Sequence, residues 1–151
     1  MVDLYKLIVS LYYSQFSKGS NSIKHILPSV INDSLFLKSK YSKPIYGTDQ
    51  IPSKNFINHS WLNEKELDHY KSLPPVFSNI SDDYVGFVNG QNLSFNTIND
   101  GGAAMTAYAY LQFGDIESNL RESIKKSLLK YCELDTMAMV MIFEHFLEKT
   151  K

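Results

Sequence analysis

Tyr131 and Asp135 stand four residues apart within a largely apolar run, one turn from each other if the run is helical. That spacing sets a phenol beside a carboxylate. A carboxylate among apolar neighbours must be paired, hydrogen-bonded or bound to a cation, because burying it alone is prohibitive. The functional chemistry open to the pair is cation ligation by Asp135, with the Tyr131 hydroxyl working beside it. Two structural readings compete. Asp135-Thr136 could cap the start of a second helix, or Asp135 could pair with a Lys or Arg from another part of the fold. The pattern alone leaves all three open.

The element that must position the pair is a C-terminal helix. Ile124, Leu128, Tyr131, Asp135, Met139, Ile142 and Phe146 recur at steps of three or four, the period of one helical face. A second row, Leu129, Cys132, Val140, Phe143 and Leu147, is expected to widen the buried surface. The pattern runs from about Glu117 to Lys149, long enough for two helices meeting near Tyr131 to Thr136. Cys132 is expected to be a small packing residue, since no second cysteine exists to complete a metal cluster.

Four segments follow one another in order: Gly19-Ser20-Asn21-Ser22-Ile23-Lys24-His25-Ile26-Leu27-Pro28, Tyr41-Ser42-Lys43-Pro44-Ile45-Tyr46-Gly47, Ile98-Asn99-Asp100-Gly101-Gly102-Ala103-Ala104-Met105, and Tyr131 to Met141. The last, a Tyr-x-x-x-Asp helix, resembles the third motif of the DnaQ-like, RNase H-fold 3′–5′ exonucleases of the tyrosine type. Together the four resemble the C-terminal half of a bacterial family of unknown function whose members carry a predicted DnaQ-like nuclease domain. The resemblance covers nearly the whole chain. It implies an α/β RNase H-like parent fold, a mixed sheet flanked by helices. Residues 1–151 would be the C-terminal part of a single nuclease domain with an irregular inserted segment at about 41–97. This chain would itself be mostly α-helical with a small β-hairpin, and the first strands would lie upstream.

The same resemblance assigns Tyr131 and Asp135 as catalytic, with Asp135 a ligand to Mg²⁺ or Mn²⁺ and nucleic acid as partner. In that family four acids hold two cations, and an Asp-x-Glu pair sits on the first strand. The one Asp-x-Glu here, Asp115-Ile116-Glu117, follows a helical pattern and Gly114, so it reads as a helix N-terminus. The expectation is a metal-dependent exonuclease portion that is inactive alone. The alternative is a non-catalytic remnant or helical module that binds a partner such as the missing N-terminal half.

Composition bounds both readings. The chain has 151 residues, 44% of them hydrophobic, enough for one domain with a core. Its net charge of −1 excludes an overall basic field for non-specific nucleic-acid binding. Local clusters at Lys38-Lys40-Lys43 and Arg121-Lys125-Lys126-Lys130 remain as phosphate contacts or solvated faces. The lone cysteine excludes an internal disulfide and suits a reducing cytoplasm. No targeting segment is evident, and no stretch approaches the ~20 apolar residues that span a bilayer.

Elsewhere the pattern predicts an amphipathic helix over 2–16, a second after Ser20 or Ser22 that is short or kinked by Pro28, and a third short helix capped by Asp33. Asn63 with Glu66 resembles a capping box for a helix near 64–72. Tyr84–Phe95 reads as a hairpin around Asn89-Gly90. His59, Trp61, His69 and Tyr70 could stack on bases, although scattered aromatics usually pack against one another. Asp100 is placed to cap a helix running through Met105, Tyr108, Leu111 and Phe113.

Overall fold

Caps and breaks decide where the helices of this chain begin. A computed structural model describes residues 3–62, 70, 73 and 98–151. They divide into two compact units: Met1–His69 with Leu134–Lys151, and Tyr70–Glu133.

In the first unit, α1 (Leu4–Leu11) starts where the Asp3 carboxylate accepts the Lys6 N–H at 3.3 Å. It stops well short of residue 16 because Tyr12 is extended and Ser14 caps a separate 3₁₀ turn, Gln15–Ser17. The chain then reverses through two left-handed residues, Lys18 and Gly19. Helix α2 (Ile23–Asp33) follows Ser22 and carries Pro28 inside it, losing one rung of the ladder without ending there. Its buried face is Ile26, Leu27, Val30 and Ile31.

Helix α3 (Leu35–Tyr41) is capped by Ser34, whose hydroxyl accepts the Leu37 N–H at 3.2 Å. Asp33, expected in that role, instead accepts a hydrogen bond from the Tyr12 hydroxyl at 2.9 Å. Residues 42–62 are irregular, as the Pro and Gly content predicts. They hold only isolated bridges, from Tyr46 to Ile51 and to His59. Gly47 is required here. It has φ +76°, and a Cβ would sit 2.1 Å from the Phe56 carbonyl oxygen.

In the second unit, Asp100 caps α4 (Gly101–Phe113), its Oδ1 accepting the Ala103 N–H at 2.8 Å. The Arg121 guanidinium donates to the Leu111 carbonyl at 2.6 Å, satisfying a terminal acceptor of that helix. Ile98, Ala107, Leu120, Ile124 and Tyr131 are buried here.

Helix α5 (Ser118–Lys149) has 32 residues and runs unbroken through Tyr131 to Thr136. The expected division into two helices, and with it the cap reading of Asp135-Thr136, is corrected: a residue inside a continuous helix has no N-cap to make. From Leu134 onward the buried residues are Leu134, Met137, Ala138, Met141, Ile142 and His145. The second apolar row was expected to be buried, and here the structure differs. Leu129, Val140, Phe143 and Leu147 are between 41 and 48% exposed, and Cys132 is exposed as well. At 100° per residue that row lies on the side of the helix opposite Leu134 and Met141.

Among the described residues there is no β-strand. The expected hairpin around Asn89-Gly90 lies outside the described residues. The helix expected near 64–72 does too, apart from Tyr70.

Candidate functional site

The continuity of α5 keeps Tyr131 and Asp135 one turn apart, yet they belong to different units. Tyr131 is only 8% exposed, and in the second unit its ring lies 6.0 Å from that of Tyr70. Asp135, in the first unit, is half-buried. The Asp-x-Glu residues Asp115 and Glu117 are exposed and immediately precede α5, where the Glu117 carbonyl accepts the Arg121 N–H at 2.9 Å. They behave as the start of a helix.

Among the described residues no group of three His, Cys, Asp or Glu side chains is placed to hold a metal ion. One half-buried carboxylate does not make the donor set that a pair of hard divalent cations requires. The described residues therefore do not fit a two-cation site by themselves.

The basic clusters are largely occupied. Lys38 Nζ donates to the Asn32 carbonyl at 2.8 Å, and Lys40 Nζ lies 2.6 Å from Glu144. Arg121 is committed to α4, and Lys125 pairs with Glu122 at 3.8 Å. The start of α4 is likewise filled, because the Asp100 carboxylate takes the position where a phosphate would approach the free N–H groups. Of the aromatics, Trp61 is buried with ring centroids at 4.4 Å from His59, 4.9 Å from Phe56 and 5.1 Å from Tyr46. These rings pack on one another rather than offering an open face for a base. His69 lies outside the described residues.

Two polar arrangements in the first unit escaped the sequence reading. Glu144 accepts from Lys40 and, at 2.9 Å, from the hydroxyl of fully buried Tyr41. Burial, together with the Glu144 carboxylate, pushes the Tyr41 phenol above the usual tyrosine range. His145 is buried with its Nδ1 lacking a hydrogen-bond partner. Burial lowers its basicity, and Lys149 adds to that, while Asp33 and Glu148 pull the other way. The signal that could have found both was a charged and a titratable residue interrupting the apolar run Met141–Leu147.

An apolar groove of about 330 Å³ among the described residues of that unit is lined by Leu4, Thr136, Met139, Val140 and Phe143. It lies between the start of α1 and the outward side of α5. No described helix is long and apolar enough to cross a membrane. Comparison with protein-family models, curated proteins and solved structures finds no match to this chain, so the resemblance to DnaQ-like exonucleases rests on its four motifs alone.

Proposed function

We propose that the protein is a helical binding unit whose partner is a polypeptide supplying the strands, and the Asp-x-Glu pair, of a DnaQ-like nuclease domain. One observation carries this reading. The C-terminal half of α5 is apolar on two opposite sides, and only one of them is buried among the described residues. The buried side is Leu134, Met137, Ala138, Met141 and Ile142, and the open side is Met139, Val140, Phe143 and Leu147. Apolar residues left open on a second side of a helix form a patch that another element can cover. Each Å² of that open side taken from water contributes roughly 25 cal/mol.

The occupant follows from the resemblance, in which such helices flank a sheet. In the joined domain this chain contributes Asp135, and the partner contributes the acids that the chain lacks. By itself the chain is expected to have no nuclease activity.

The test is co-expression with the product of an upstream reading frame that encodes Asp-x-Glu on a strand. Co-purification, lost in Phe143→Asp while thermal unfolding of the chain alone is unchanged, supports the reading. Co-purification that Phe143→Asp leaves intact refutes this face as the interface. A purified chain that degrades single-stranded DNA with Mg²⁺, and stops doing so in Asp135→Asn, refutes the non-catalytic assignment.

A further inference from the structure

His145 sits where α5 meets the end of α1. It is 4% exposed, and its Nδ1 has no hydrogen-bond partner. Its ring meets that of Tyr12 edge-on at 6.0 Å and that of Phe146 at 5.8 Å. Tyr12 and Phe146 are themselves 6.0 Å apart and nearly perpendicular, so the three rings close on one another. Tyr12 is the residue at which α1 ends, and its hydroxyl is tied to Asp33 at the end of α2. Among the described residues, the attachment of the end of α1 thus includes this ring cluster and the Tyr12 bonds to Asp33 and Ser14.

A neutral imidazole suits this cluster, whereas an imidazolium would carry a charge and a second N–H donor into it. The charged groups that face it are Asp33 from α2 and Glu148 and Lys149 from α5, with the Tyr12 phenol between. Lys149 opposes the added proton, while the Asp33 carboxylate already accepts from Tyr12. Loss of solvation dominates the balance and favours the neutral ring.

We propose that His145 is a proton-operated latch: protonation of its ring releases Tyr12, and with it α1, from the C-terminal half of α5. Leu4 of α1 forms one wall of the apolar groove. The latch therefore controls the shape of the partner face, a consequence that rests on the binding function proposed above.

The window follows from linkage. A released imidazole titrates near pH 6.5, and the buried one lower. Between those two values opening of α1 rises about tenfold for each pH unit lost, and below the lower value it levels off.

The experiment is hydrogen exchange of the α1 amides in the full chain, without a partner, from pH 7.5 to 5, corrected for intrinsic rates. It is paired with an NMR titration of the His145 ring. The expected result is protection of Leu7 and Tyr12 falling through the window, with the ring titrating below the ordinary histidine value. In His145→Phe, which keeps an aromatic ring in the cluster, protection becomes independent of pH. Constant protection in the wild type, or a ring that titrates at or above about 6.5, overturns the latch even where the variant does not fold. Because no partner is present, neither failure bears on the co-purification test, and a failed co-purification leaves the latch standing.

Discussion

Replacing Glu144 by Ala is expected to destabilise the first unit by about 1–4 kcal/mol, and the figure can be assembled from its two partners. The Tyr41 side chain is fully buried, and its hydroxyl donates to Glu144 at 2.9 Å. Leaving such a group without an acceptor costs about 1–3 kcal/mol. The Lys40–Glu144 pair is only partly shielded, with side chains 30 and 23% exposed, so solvent screening holds its share to about 1 kcal/mol or less. Tyr41→Phe removes donor and hydroxyl together and leaves Glu144 with Lys40, so it should cost only about 1 kcal/mol. The double variant should cost clearly less than the sum of the two, because a phenylalanine ring in place of the phenol has no hydroxyl left to satisfy. Urea unfolding of the full chain, followed by far-UV circular dichroism, measures all three, with an unchanged slope confirming that stability alone has moved. A loss below about 0.5 kcal/mol for Glu144→Ala, or strictly additive variants, would show that the carboxylate does not hold α3 to α5.

Gly47→Ala forces a left-handed residue and a clash with the Phe56 carbonyl oxygen. It should cost more than about 2 kcal/mol in thermal or urea unfolding. Asp100→Ala removes the bond to the Ala103 N–H and should cost the second unit about 1 kcal/mol, with Asp100→Ser recovering most of it. The phenols of Tyr12 and Tyr41 are raised by burial and then by their carboxylate neighbours, Asp33 and Glu144. An unfolded tyrosine ionises near pH 10. Their contribution is therefore complete below that value and is lost as pH rises toward the higher folded values, which a series of unfolding midpoints from about pH 8 to 11 would record; a Tyr41→Phe chain should decline less steeply.

What the sequence made legible was local. Asp100 ahead of two glycines marks a helix start that its carboxylate caps, while Ser22 stands at the start of α2 without a side-chain bond to it. A side chain needs only its own next turn to cap. The end of α1 differs because Leu4, Ile8, Tyr12 and Phe16 keep a helical spacing past the point where Tyr12 turns away to reach Asp33. That partner lies 21 positions further along, beyond any local pattern. In α5 the spacing was right and the burial right only in part: Ile124, Tyr131 and Ile142 of the first row are buried, whereas Met139 and the second row are exposed. Leu134, Met137, Ala138 and Met141 have as good a period as Met139, Val140, Phe143 and Leu147. Which row goes inside is decided by what packs against it. The candidate site suffers the same limit, since the spacing of Tyr131 and Asp135 fixes their turn of helix but brings no second acid to them.

The first unit is closed by residues from the two extremes of the numbering, with the second unit encoded between them. Tyr41 and Glu144 are separated by 103 positions. Bringing such ends together costs about 4 kcal/mol of loop-closure entropy before any contact repays it. During synthesis, helix α3 is made long before Glu144, the acceptor of the Tyr41 hydroxyl. Until Glu144 has emerged, the Tyr41 hydroxyl and Lys40 lack the carboxylate that ties them together in the folded unit.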